Sequence, residues 1–161
     1  MLENKNSIVI GSDHAAYPLK EKIKTYLIEC GMKIEDVGTC SEESVDYTDF
    51  GARVAVLVSA GKFQRGILLC GTGIGMSMVA NRFPRVRAAL CSDLFTAIMS
   101  RRHNNSNILV MGGRVIGEAL ALEMVKAWLE TAFEGGRHQL RIEKFDRIDQ
   151  TGLGKEFLKS L

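Results

Sequence analysis

Residues 66–82 read GILLCGTGIGMSMVANR. The run Gly66–Cys70 is apolar without alternation, opens on glycine and closes on a cysteine, the pattern of a strand buried on both faces. Glycine then takes every second place, at Gly71, Gly73 and Gly75, and Ile74–Arg82 reads as a short helix. Strand, glycine turn and helix make the first part of a βαβ unit.

The unit recurs in both directions. Downstream come a strand at Val86–Cys91, a helix at Leu94–Arg102, a strand at Ile108–Met111 and a long helix at Ile116–Phe133. In that last helix Ala121, Val125, Trp128 and Ala132 fall on one face. Upstream, Ser7–Gly11 reads as a buried strand, and Tyr17–Cys30 as a helix with Leu19, Ile23, Tyr26 and Leu27 in line. Met32–Val37 is a more alternating strand, and Asp46–Ala60 has helical period. Five strand–helix alternations predict an α/β protein whose parallel five-stranded sheet is covered on both faces, with right-handed crossovers. Pro18 falls in a first helical turn, where its missing N–H costs little.

The C-terminal part departs from this rhythm. Gly135-Gly136 closes the long helix. Arg137, His138 and Arg141 follow, then a polar helical segment to Leu161. Such an extension, residues 137–161, either covers its own sheet or docks on a partner subunit.

Length and composition set the frame. The chain has 161 residues, 46% hydrophobic and 25% charged, with a net charge of +2. That length fits one domain spanning residues 1–161. So small a charge gives no reason to expect a nucleic-acid partner. No apolar stretch is long enough for a membrane helix, and the N-terminus MLENKNSIVIG lacks the apolar core of a signal peptide, so cytoplasm is the expected location. The four cysteines, Cys30, Cys40, Cys70 and Cys91, form no CxxC pair, so neither a zinc site nor a disulfide framework is expected. Cys30 and Cys91 read as core thiols.

In open parallel sheets ligands bind beyond the carboxyl ends of the strands. Ser12-Asp13-His14 follow the first strand, Cys70 and the glycine loop the third, Ser92-Asp93 the fourth and Gly112-Gly113-Arg114 the fifth. We group His103-Asn104, after the fourth helix, with these residues. A glycine loop leading into a helix can hold an anion on its N–H groups. A thiol at such a position is stabilised as thiolate and suits a proton acceptor or nucleophile. Cys70 therefore reads as a base beside an anion hole. The loop is GxGxG with no Lys-Ser/Thr after it, so it is not a Walker loop. Asp93, about 20 residues on, leaves a dinucleotide-binding reading open. Arg137 and Arg141, four apart, could grip one phosphate from a helical face. Arg82, Arg85, Arg87, Arg101 and Arg102 read as surface charges.

Six motifs, GSDHAA (11–16), DYTDF (46–50), LLCGTGIGMSMVANR (68–82), RRHNNSN (101–107), GGRVIG (112–117) and EGGRHQLR (134–141), resemble the ribose-5-phosphate isomerase B family, which includes galactose-6-phosphate isomerase subunits. They lie in the family's order and spacing, across about residues 7–150. The resemblance implies a Rossmann-like three-layer α/β/α sandwich, a homodimer that sometimes pairs into a tetramer, and a pocket shared between subunits. It implies interconversion of ribose 5-phosphate and ribulose 5-phosphate through an enediolate, without metal or cofactor. Carried over by residue, Cys70 is the base, Gly71, Thr72, Gly73, Ile74 and Gly75 hold the enediolate oxygens, and His103 protonates the ring oxygen. Asp13 assists ring opening, Asn104 binds sugar hydroxyls and Tyr47 lines the pocket. His14, Arg137 and Arg141 bind the phosphate, with Arg114 nearby. Some members of the family use a glutamate at a nearby loop position instead; the matching neighbourhood here has Gly75 and no acid, so the chain resembles the cysteine subtype. Asn105 replaces a common aspartate and Ala16 a frequent glycine. The sequence leaves open a hexose 6-phosphate substrate of allose or galactose type, a nucleotide-dependent oxidoreductase, and a sugar-phosphate sensor without turnover.

Overall fold

The computed structural model describes residues 6–151. Its strands are β1 (Ser7–Ser12), β2 (Lys33–Asp36), β3 (Gly66–Cys70), β4 (Ala88–Leu90) and β5 (Ile108–Gly112). Its helices are α1 (Tyr17–Glu29), α2 (Tyr47–Ser59), α3 (Ile74–Ala80), α4 (Leu94–Arg102), α5 (Glu118–Glu130) and α6 (Arg137–Thr151). All strand pairings are parallel, in the order β2-β1-β3-β5-β4.

The unbroken apolar runs end up where such runs must. β1, β3 and β5 are buried along their whole length. Ile8, Ile10, Ile67, Leu69, Leu109 and Met111 face one way, against α1, α4 and α5 with Ile23, Ala97 and Trp128. Val9, Leu68, Cys70, Ile108 and Val110 face the other, against α2 and α3 with Val54, Met76 and Ala80. This is the three-layer sandwich predicted. The alternating β2 is an edge strand, half exposed.

Element ends differ from expectation where side chains intervene. α3 stops at Ala80 because Asn81 turns back: its Nδ2 donates to Ser77 O at 3.0 Å and to Ala88 O at 2.9 Å. α5 starts at Glu118, since the N–H of Ile116 is held in a turn by Gly112 O at 3.1 Å. A 3-10 turn at His14–Ala16, capped by Asp13, precedes α1 and is not legible in the pattern. α6 covers the start of the predicted extension; residues 152–161 lie outside those described.

Two observations correct the reading of single residues. Cys30, expected in the core, is exposed after the last turn of α1. Arg101, expected at the surface, is 7% exposed. Among the described residues no helix is long and apolar enough to cross a membrane.

The order of strands places the chemistry. β1 is followed outward by β2, and β3 returns on the other side of β1. The carboxyl ends of β1 and β3 therefore form a topological switch point, where the flanking connections diverge and leave a crevice. Asp13 and Cys70 stand at its two sides.

Candidate active site

The first group of predicted residues assembles at this carboxyl edge. Cys70 ends β3 and is 5% exposed. Its Sγ accepts the N–H of Gly73 at 3.1 Å. An N–H aimed at sulfur is a partner that a thiolate accepts more strongly than a thiol. Gly73 is left-handed, with φ +79°, and a Cβ there would lie 2.5 Å from Leu90 Cδ1. Only glycine satisfies both demands. Thr72 Oγ1 accepts the N–H of Ile74 at 3.3 Å and fixes the next step of the loop. α3 has only seven residues, so an anion at this loop would meet its individual N–H groups rather than a long helix dipole.

Neighbouring elements wall this loop. The N–H of Gly113 donates to Cys70 O at 2.8 Å and that of Arg114 to Gly71 O at 3.0 Å, so the segment after β5 wraps the loop. The Arg114 side chain runs beside Gly71, where a Cβ would lie 3.6 Å from Nη1. Tyr47, the first residue of α2, lays its ring over Gly75: a Cβ at Gly75 would sit 2.5 Å from Tyr47 Cε2. Asp13 is buried, donates its N–H to Leu69 O at 3.2 Å, and accepts from Ala15 N at 3.0 Å. The Nδ1 of His14 accepts the N–H of Val45 at 3.2 Å, so a neutral His14 carries its proton on Nε2.

The loop from Asp36 to Asp46, which supplies Val45 and leads to Tyr47, is pinned by a buried lysine. Lys20, 1% exposed, reaches Asp36 Oδ2 at 2.5 Å and Thr39 O at 2.9 Å. Burial raises the Asp36 pKa, but the ammonium groups of Lys20 and Lys24 and the N–H of Gly38 outweigh it and hold it below the ordinary value. Nothing in the sequence singles out this lysine among its exposed neighbours on α1.

The second group assembles elsewhere. His103 caps the end of α4. In a parallel sheet the crossover helices run back against the strands, so this end lies at the amino edge, beside the start of β5. The contacts agree: the N–H of Glu134 donates to Arg102 O at 3.0 Å, and Arg101 Nε to Thr131 O at 3.4 Å. Grouping His103 and Asn104 with the carboxyl-edge residues is therefore corrected. Five residues of strand, roughly 16 Å, separate the two edges of one chain. Cys70, Thr72, Asp13, His14, Tyr47, Gly71, Gly73, Ile74, Gly75 and Arg114 come together; His103, Asn104, Arg137 and Arg141 form the other group.

Two residues of this second group were not singled out from the sequence. His138, one turn into the polar extension, stacks on His103 with ring centroids 4.2 Å apart and planes at 6°. Glu134 Oε2 lies 3.8 Å from His103 Nε2 and 3.7 Å from His138 Nε2, and Arg102 Nε holds Glu134 Oε1 at 2.6 Å. Enclosure, then the charges of His103 and Arg137, lower the His138 pKa against the opposing pull of Glu134. Arg137 and Arg141 stand exposed beside this stack, one turn apart on α6. The only sign of it in the sequence is His138 lying between those arginines. His103, Glu134 and His138 bring their ligand atoms within 4.8 Å of one another. The rings are parallel, so their nitrogen lone pairs do not converge on one point as metal ligation requires.

Asp93 is accounted for by its own helix. Its Oδ1 accepts the N–H of Thr96 at 2.8 Å, an N-cap of α4, rather than reaching toward the glycine loop as a ribose ligand would.

A buried thiol and a glycine loop at the switch point of a parallel sheet mark an α/β protein with a small-molecule crevice there. The Ribose/Galactose Isomerase family model matches residues 8–145. The chain belongs to this family. It is 45% identical to ribose-5-phosphate isomerase B of Escherichia coli over 143 residues, covering 89% of this chain and 96% of that one. It is likewise 45% identical to the D-erythrulose-4-phosphate isomerase of Pectobacterium atrosepticum over 139 residues, 86% of this chain and 91% of that one. The solved ribose-5-phosphate isomerase B of Clostridium thermocellum superposes with a TM-score of 0.88 at 49% identity, covering 89% of this chain and 97% of that one.

Proposed function

We propose that this chain interconverts D-ribose 5-phosphate and D-ribulose 5-phosphate. The observation that carries the proposal is the Cys70 Sγ held 3.1 Å from the Gly73 N–H at the mouth of the glycine loop. Deprotonated, Cys70 takes the proton from C2 of the open-chain aldose. The electron pair moves to the carbonyl oxygen, and the N–H groups of Gly71–Gly75 with Thr72 stabilise the resulting enediolate. The O2 hydroxyl proton passes to O1, and the proton held on Cys70 is delivered to C1, which gives the ketose. The furanose has to open first: His103 protonates the ring oxygen, with Asp13 taking the anomeric hydroxyl proton. Asn104 and Tyr47 hold sugar hydroxyls. His14, Arg137, Arg141 and Arg114 take the phosphate, which lends binding energy remote from the reacting carbons. No metal or cofactor enters this sequence of steps.

One chain holds the base and the acid at opposite edges of its sheet, so a working site needs a second copy. We place that copy side-on against the β4 edge of the sheet, its strands running the opposite way, where Ile74, Met78, Leu90, Leu94, Phe95 and Val115 leave an apolar patch exposed. A two-fold axis then brings His103, Asn104, Arg137 and Arg141 of each copy to Cys70 of the other, giving a homodimer with two shared sites. Pairing of dimers into a tetramer is compatible with this arrangement. A base that works only as a reduced thiol suits the cytoplasm, the compartment we propose.

The relative named for erythrulose 4-phosphate favours keeping sugar length as an open variable of this scaffold. The deciding assay follows ketose formation in EDTA with ribose 5-phosphate, allose 6-phosphate and erythrose 4-phosphate offered separately. The proposal expects fastest turnover of the pentose. Turnover of another sugar alone would keep the mechanism and change the substrate. Binding without turnover of any would leave a sensor.

A further inference from the structure

A second basic cleft lies at the amino edge of the sheet, on the side of α2 and α6 and away from the Cys70 loop. Its volume is about 520 Å³, within the range of small-molecule sites. Four arginines line it: Arg65, Arg85, Arg87 and Arg101. The one carboxylate among the described lining residues is Asp146, whose Oδ2 is 3.8 Å from Arg87 Nη1.

Among the described residues, the other partners of these arginines are neutral. Arg65 Nη1 donates to Leu129 O at 2.7 Å and Arg87 Nε to Asn105 O at 3.0 Å. Arg85 donates to Ser59 O, and Arg101 to Ser106 O and, at 3.1 Å, to Asn105 Oδ1. Carbonyl contacts orient a guanidinium without cancelling its charge. Burial, and then the charges of Arg65 and Arg87, push the Arg101 pKa down to about 10. Four like charges held this closely, with one distant carboxylate among the described residues, are stabilised by an anion that joins them.

The backbone is also spent on this arrangement. Arg85 and Asn105, with φ 65° and 46°, are the two described non-glycine residues in the left-handed region, and both line the cleft. Such conformations cost about 1–3 kcal/mol and persist where the surroundings enforce them. Asn107 enforces one: its Nδ2 donates to Arg85 O at 2.8 Å and its Oδ1 accepts the N–H of Arg87 at 2.7 Å. The segment carrying Arg85 and Arg87 is thus tied to the start of β5, with both side chains at the cleft.

We propose that this cleft binds a small molecule carrying two linked phosphate groups, at a site separate from the sugar-phosphate site. The charge balance sets the class: among the described residues, four guanidinium groups against one carboxylate leave room for a ligand of charge about −3, which a diphosphate carries and a sugar monophosphate does not. Arg85 and Arg87 contact it from the rim and Arg101 from the floor.

Trp128 supplies the readout. It is the chain's one tryptophan, and its buried ring lies 5.6 Å from both the Arg65 and the Arg101 guanidinium. Inorganic pyrophosphate is titrated into the full-length protein at constant ionic strength while Trp128 emission is followed, with orthophosphate and chloride as controls. The expected result is a saturable change, one site per chain, at least about tenfold tighter for pyrophosphate than for orthophosphate. R85Q/R87Q should weaken it by at least about tenfold and leave isomerisation without pyrophosphate unchanged, while R137Q/R141Q should leave the titration intact. Arg85→Gln alone, at an exposed position, replaces the double variant if that fails to fold. A response no larger than that of chloride or orthophosphate, or one abolished by R137Q/R141Q, overturns the proposal. Failure of the isomerase assay leaves this titration unaffected, so the two readings fail separately.

Discussion

Cys70 and the N–H of Gly73 are three residues apart and 3.1 Å from each other, a contact that the glycine spacing alone makes possible. The thiol could be singled out from the sequence because it ends an apolar run and glycines follow at alternate positions. Cys70→Ala should lower turnover at least about 100-fold, the usual cost of a lost general base. Its melting temperature should stay near that of the parent, since one Sγ leaves a small hole. A stopped assay beside a thermal melt separates the two effects. Gly75→Ala tests the wall of the pocket. A methyl there would collide with the Tyr47 ring at 2.5 Å, so the ring has to swing out. We expect a raised KM for the sugar phosphate with the fold intact, and an unchanged KM would remove Tyr47 from the pocket. The stack of His103 on His138 escaped the sequence because no periodicity links the end of α4 to the first turn of α6. Its electrostatics can be read by pH. His138 has a folded pKa below its unfolded value, so the unfolded chain binds the proton more readily. The stability that neutral His138 supports is present above the ordinary histidine pKa, about 6.5, and is lost as pH falls below it. Amide protection factors in residues 137–142, that is, exchange rates divided by their intrinsic pH-dependent values, should therefore fall between pH 7 and pH 5, and less so in His138→Phe. An equal fall in both would assign the loosening to other groups.

At the scale of elements, the buried strands were the most legible part, since a run such as GILLC or ILVM has no stable place outside a covered parallel sheet. Boundaries were less so. Asn81 ends α3 by hydrogen bonds to residues four before and seven after it, and the latter reach depends on the fold. The loop between β2 and α2 depends in the same way on Lys20, whose burial follows from its reaching from α1 to Asp36 at the end of β2. Lys20→Met should destabilise the protein by about 2 kcal/mol, because Asp36 and Thr39 O lose their main partner. The sign with pH is fixed. Asp36 has a folded pKa below its unfolded value, so its contribution is present above about pH 4 and fades as pH falls through the folded pKa. Chemical denaturation of parent and variant at pH 7 and pH 3 should show the gap closing at the lower pH. A gap that stays constant would mean that packing of the lysine stem, rather than its charge, carries the effect.

At the scale of the molecule, the sequence lists both groups of site residues without saying that a sheet divides them. The separation becomes visible only once α4 is seen to run back to the amino edge. The strand order could not be read either, since β5 inserts between β3 and β4 by packing, not by any local signal. Division of the site makes the account testable with two inactive proteins. Cys70→Ala and His103→Asn variants, each without isomerase activity, are mixed, unfolded together and refolded. If base and acid come from different copies, half of the refolded dimers are mixed, and each mixed dimer carries one intact site and one doubly altered site. Ribose 5-phosphate isomerisation should then return to about a quarter of the parent rate. A mixture of folded dimers as inactive as its two components would contradict a site shared between subunits.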